Sequence, residues 1–292
     1  MKHSLKITLI VMFLFFIAQV LGVVITSKYV DYEKTQATGN FTWKEIPSVG
    51  PVQLERPQVE EDYSVYYISA GIIIGTLIFF LILKYKKFSL IKAWFFIAVT
   101  LCLYVAFGAF VNGYVALTLA LLSSVFKIFK PNIFIHNFTE LFVYGGLAAI
   151  FVPIIGQIRY AIFLLILISL YDMYAVWRSK HMVTMAKEQS AMGIFAGLNI
   201  PYEMPKKIVN KESVVVEKIK TAILGGGDIG FPLLFTGVVL KNHGLWQAFM
   251  ITPFTTLGLA ILLFIAQKDK FYPAMPFISL GSLLGYLIVL LI

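Results

Sequence analysis

The chain is short of charge. Charged residues occupy 13% of its 292 positions, against about 25% in an ordinary soluble domain. With 59% hydrophobic residues and a mean hydropathy of +0.85, that shortage excludes a water-soluble globular fold. Cysteine is nearly absent: the single Cys102 leaves no intrachain disulfide to form and reads as a buried packing residue. Histidine is equally scarce, and His3, His136, His181 and His243 show no ligand-like spacing, so neither a metal nor another cofactor is expected. Acidic residues are outnumbered, 15 to 24, for a net charge of +9. The basic residues form no patch suited to nucleic acid. They stand at the ends of apolar runs, as topology signals do.

What the chain has in abundance is apolar runs of about 20 residues, the signature of a polytopic helical membrane protein. Nine spans are expected, at about 7–26, 65–83, 93–111, 113–129, 139–156, 160–177, 218–240, 246–267 and 271–291. The first is too long for the apolar stretch of a signal peptide and has no small-residue cleavage site after it, so it reads as a retained helix. Val111-Asn112-Gly113 is a very tight connection between two of the spans. Pro153 and Pro232 fall inside spans, where each should kink or interrupt its helix. With a cytoplasmic N-terminus, only Lys28, Lys34, Lys44, Arg56, Arg159 and Lys241 of the 24 basic residues lie outside. That bias favours the N-terminus inside and the C-terminus outside. The expected fold is therefore an all-α, multi-pass protein of the cell membrane. Its parts are a six-helix N-terminal part (1–177), a cytoplasmic loop (178–217) and a three-helix C-terminal part (218–292). The polar outer connection, about 27–64, is expected to be a solvated linker.

Two carboxylates lie well inside the spans. Asp172 sits six residues before Arg178, about 9 Å from the inner end at the helical rise. Asp228 follows Lys220 by eight residues, about 12 Å in, on a span running the opposite way. Antiparallel neighbours thus carry acids at nearly one depth. Burying either alone costs roughly 2.5–3.5 kcal/mol on insertion scales. Two carboxylates at close range in a low dielectric cannot both ionise easily, so they share a proton and supply a general acid and a general base together. That pair suits peptide hydrolysis through a gem-diol, without an acyl-enzyme. It also suits a cation- or proton-coupled transporter, which at this point stays open.

Asp228 closes the run Gly225-Gly226-Gly227-Asp228. The glycines weaken a helix and let another backbone approach, and Pro232 frees a carbonyl one turn back. The same residues fit a dinucleotide fingerprint, but no strand is expected before them and the surroundings are a membrane span. Gly226 and Gly230 also make a helix-packing spacing, which leaves the aspartate unexplained. A third element, Pro273-Ala274-Met275, opens the last span about 5–8 Å inside the inner boundary. With Pro276 it keeps backbone groups out of regular helix bonding.

Tyr171-Asp172, Gly225-Gly226-Gly227-Asp228 and Pro273-Ala274-Met275, in this order and in three spans, resemble the YD, GxGD and PAL motifs of the presenilin and signal peptide peptidase family of intramembrane aspartyl proteases. The short loops look most like the archaeal presenilin homologues. A prepilin-type peptidase shares a GxGD-like aspartate but has fewer spans and lacks the late proline element. The resemblance implies that Asp172 and Asp228 are catalytic, that Tyr171 and Gly225, Gly226 and Gly227 shape the active site, and that Pro273, Ala274 and Met275 hold substrate. Met275 stands where leucine is usual, a change of similar volume. The implied partners are transmembrane peptide substrates within the lipid bilayer, with the N-terminus outside as for presenilins. No nucleic-acid partner is implied. A helical substrate must unwind to be cut, and the β-prone run Ser213-Val214-Val215-Val216 either adds a strand to it or is merely the start of the helix that follows.

Overall fold

The computed structural model describes residues 4–39, 41–50, 54–56, 63–85, 88–130, 132–178, 194–202, 209–210, 213–214, 221–267 and 272–292. Ten helices and four short strands are described. The helices are α1 (Leu5–Lys28), α2 (Tyr32–Thr38), α3 (Ser64–Lys84), α4 (Phe88–Gly108), α5 (Gly113–Phe129), α6 (Ile133–Phe151), α7 (Ile158–Trp177), α8 (Gly226–His243), α9 (Leu245–Ile265) and α10 (Met275–Leu291). The strands are β1 (Gly197–Pro201), β2 (Val209–Asn210), β3 (Ser213–Val214) and β4 (Thr221–Gly225). Six of these helices, α1, α3, α4, α6, α7 and α9, are long and apolar enough to cross a membrane, and α5 and α10 are shorter apolar helices. The protein is a mostly helical multi-pass membrane protein.

Local chemistry explains where the helices begin. Ser4, Asn112 and Asn132 are N-caps whose side chains accept from the backbone N–H of Ile7, Val115 and Phe134, satisfying donors the first turn leaves free. Asn112 is the reason the tight connection at 111–113 works. Several boundaries differ from the sequence-based expectation, two spans most of all. Capping by Asn132 starts α6 six residues before the expected 139, and α6 ends at Phe151, so Pro153 lies in the turn after the helix and kinks nothing. The seventh span does not begin at 218: residues 221–225 are extended, and the helix starts at Gly226. Pro232 does fall within α8.

α8 is the hub. It packs against α1, α6, α7, α9 and α10, and every residue from Pro232 to Leu240 is buried, as suits a helix with no polar face. Close packing between α9 and α10 depends on glycine: a Cβ on Gly258 would lie 2.3 Å from the Phe277 carbonyl oxygen, and one on Gly281 would lie 2.3 Å from that of Phe254. By contrast α3 packs on α4 and α7 with only Ser64 and Val65 buried.

The connection at about 27–64, expected to be a solvated linker, is in part packed onto the bundle, although α2 within it buries no residue. Val30 bridges to Trp43, Ile46 is buried, and the Tyr104 hydroxyl donates to the Pro47 carbonyl. Arg56 donates through Nε to the Ala149 carbonyl and sits over the Tyr29 ring. Burial lowers the Arg56 pKa from its ordinary value, although the guanidinium remains charged at any physiological pH.

Candidate active site

β1 and β4 form an antiparallel pair with Gly197 opposite Gly225 and Asn199 opposite Ile223. The pair leads directly into α8, so strand geometry sets where the helix starts. Gly225 is the N-cap, and Gly226 donates its backbone N–H to the Ala196 carbonyl (3.1 Å), tying the turn to β1. Asp228 then falls at the third helical position, in the first turn of α8. Its carboxylate turns back towards Gly225, with Oδ2 3.3 Å from where a Cβ on that glycine would stand. A carboxylate there also faces the positive end of the helix dipole.

Asp172 lies in the last turns of α7 and is 3% exposed. Its Oδ2 accepts from the Met275 backbone N–H at 3.0 Å. Met275 is the first residue of α10, so Asp172 sits at a helix N-terminus just as Asp228 does. That backbone donor offsets part of the cost of burying Asp172. The two aspartates are close enough for their charges to interact. A further bond, Ser169 Oγ to Ser279 Oγ (2.9 Å), pins α7 to α10 about one turn from Asp172.

The remaining residues expected at the site divide clearly. Pro273, Ala274 and Met275 are buried beside Asp172, and Tyr171 is half-buried on α7. The three glycines are not equivalent. A Cβ on Gly225 would lie 3.3 Å from Asp228 Oδ2, one on Gly226 would lie 2.6 Å from the Tyr144 hydroxyl, and one on Gly227 would make ordinary contact with Phe231. Val214 forms the two-residue β3, opposite Val209 of β2, so its described strand partner is within the chain. Val215 and Val216 lie outside the described residues.

Three side chains at the site went unforeseen. Lys127 and Glu140 make an ion pair in which both side chains are almost fully buried. The Tyr144 hydroxyl donates to the same carboxylate. Glu140 is the second residue of the expected fifth span, 139–156. An N-cap at Asn132 was the signal that would have placed it two turns inside the helix. Lys127 read as a topology charge, and its counter-ion is what reassigns it.

The family described as signal-peptide peptidase, presenilin aspartyl protease matches residues 44–292. The chain belongs to that family. Two structures of a presenilin family intramembrane aspartate protease, in C222 and P2 space groups, are similar in fold. The first has 18% identity and a TM-score of 0.64, covering 97% of this chain and 98% of that one. The second has 19% identity and a TM-score of 0.61, covering 96% of each chain. No curated protein matches. This family member is an intramembrane aspartyl protease, an aspartic endopeptidase.

Proposed function

We propose that Asp172 and Asp228 are its catalytic pair and cut peptide bonds within transmembrane segments. One carboxylate takes a proton from water, and the other donates a hydrogen bond to the scissile carbonyl and then protonates the leaving amine. The observation that carries this reading is that α7 and α8 each bring a carboxylate to a helix N-terminus, Asp172 on the Met275 N–H that opens α10 and Asp228 in the first turn of α8. The Met275 N–H keeps Asp172 oriented before substrate arrives. Met275 holds Asp172 through its backbone N–H, and Pro273, Ala274 and Met275 border the substrate.

The strand offered to an unwound substrate is β4. Asn199 gives both its N–H and its carbonyl to the Asn137 side chain, at 2.9 and 2.8 Å. Its pairing with Ile223 is therefore a non-hydrogen-bonded one, and the Ile223 backbone groups point away from β1. Ile223 is 47% exposed. An extended substrate segment running along that edge passes towards Asp228, five residues beyond Ile223 and four beyond Leu224. This assignment replaces the expected 214–216 run.

The nine longer helices, α1 and α3 to α10, cross the cell membrane with the N-terminus inside. In support, Pro47 and Arg56 bond to Tyr104 and Ala149 at one end of the bundle, whereas Lys127, His136 and β1 meet at the other. Substrates are single-span segments with their N-terminus outside. Reconstituted protease should cut a single-span peptide of that orientation within the span, and leave the reversed orientation intact. Cutting of the reversed peptide alone would overturn the proposed orientation.

A further inference from the structure

We propose that Tyr144 is a positioning residue: gripped by Glu140 and Lys127, its phenol fixes the turn at Gly226 and so the direction in which Asp228 presents its carboxylate. This rests on the reading of Asp228 as catalytic. The argument begins with a buried polar cluster at the start of α6. Lys127 Nζ meets Glu140 Oε1, donates to Thr139 Oγ1 (3.2 Å) and lies 3.4 Å from His136 Nδ1. The other oxygen of Glu140 accepts from the Tyr144 hydroxyl and from the Gly197 backbone N–H at 3.1 Å. His136 Nε2 lies 2.8 Å from the Gly197 carbonyl oxygen. With its proton on Nε2, the ring donates to that carbonyl and leaves Nδ1 to accept from Lys127. Together with Asn137, α6 holds four successive outward backbone groups of β1, at Gly197 and Asn199.

This grip reaches Asp228 by two routes. Through the backbone, Gly197 lies opposite Gly225, and Ala196 accepts from Gly226. Directly, the Tyr144 ring fills the space where a Cβ on Gly226 would stand, 2.6 Å from Oη, 3.1 Å from Cε1 and 3.2 Å from Cζ. A loose side chain would swing away from such a methyl group. Tyr144 cannot, because it is 4% exposed and its hydroxyl is tied to Glu140. The second position of the GxGD pattern is open in principle. In this chain Tyr144 restricts it to glycine. A buried ion pair gains little stability over apolar residues of similar volume, and here it holds one phenol and one strand in a single arrangement.

The test is a double-mutant cycle on cleavage of a reconstituted single-span peptide, read as kcat and KM separately. Gly226→Ala should lower kcat by about 100-fold with KM nearly unchanged, since the carboxylate is displaced while the outer edge of β4 is kept. In a Tyr144→Phe background, where Oη is gone, the same change should cost less than about 10-fold. Equal losses in the two backgrounds, or no loss in the native one, would overturn the proposal. If Gly226→Ala unfolds the protein, Tyr144→Phe should restore the fold; persistent unfolding would count against the proposal. Amide hydrogen exchange across 221–228 reads the same coupling without substrate, and Glu140→Gln should raise it. Should the native protein cleave nothing while exchange still responds, the catalytic reading fails and the positioning of the turn stands. Exchange unchanged by Glu140→Gln would refute the positioning itself.

Discussion

Removing one partner of the Lys127–Glu140 pair should be strongly destabilising, and the cost of replacing both should be set by the polar groups left without a partner. Both side chains are almost completely enclosed, at 1% and 2% exposure. In Lys127→Met the carboxylate stays buried with only the Tyr144 hydroxyl and the Gly197 N–H to support it. Breaking a buried pair in this way costs about 3–5 kcal/mol. For a chain of this size that lowers Tm by about 10 °C. The double variant Lys127→Met/Glu140→Leu removes both charges and leaves the Tyr144 hydroxyl and Gly197 N–H unpaired, at about 1–3 kcal/mol each. Adding Tyr144→Phe removes one of those orphans, so the triple variant should recover about 1–3 kcal/mol over the double. Thermal unfolding in detergent, followed by the fluorescence of the 4 tryptophans, gives the ranking. A Lys127→Met variant within about 1 kcal/mol of the native protein would refute the reasoning, because a surface pair is worth no more than that. So would a triple variant less stable than the double.

Ile223→Pro should slow cleavage at least about 10-fold with Tm little changed, because proline removes an N–H that β1 does not use; Tm and turnover of the same sample check this, and undiminished turnover would refute the substrate edge. Gly258→Leu should destabilise by more than about 4 kcal/mol, since even its Cβ would stand 2.3 Å from a backbone oxygen that no rotamer change can move; normal expression and Tm would contradict the packing described. Met275→Leu should keep activity within a few-fold and stability within about 1.5 kcal/mol, as a similar-volume exchange at a buried site whose backbone N–H is retained; a large loss of turnover would show that the thioether does more than fill space.

Composition and local motif made the helical membrane class and both aspartates legible. Lipid leaves helices as the solution for long apolar runs, and Tyr171-Asp172 and Gly225–Asp228 are short, contiguous patterns. The extended segments were hidden for a physical reason. Gly197–Pro201 carries glycine and proline, residues that ordinarily weaken strands, and its edge is completed by side chains of α6 rather than by a third strand. Thr221–Gly225 passes straight into α8 without a turn, so its apolar residues merge with the helix that follows. Glu140 and Lys127 were obscured by the misplaced start of α6, because partners 13 residues apart on two helices leave no periodic trace. The Met275 bond to Asp172 spans 103 residues and was legible only as a proline element at a matching depth.

The central claim is that Asp172 and Asp228 act as one catalytic unit. Its most direct test is cleavage of a reconstituted single-span peptide by the native protein, Asp172→Asn and Asp228→Asn, each verified as folded. The account predicts cutting within the span by the native protein, and loss of at least about 10³-fold in either variant, since neither remaining carboxylate can serve as both acid and base. Cleavage that persists in either folded variant would contradict it.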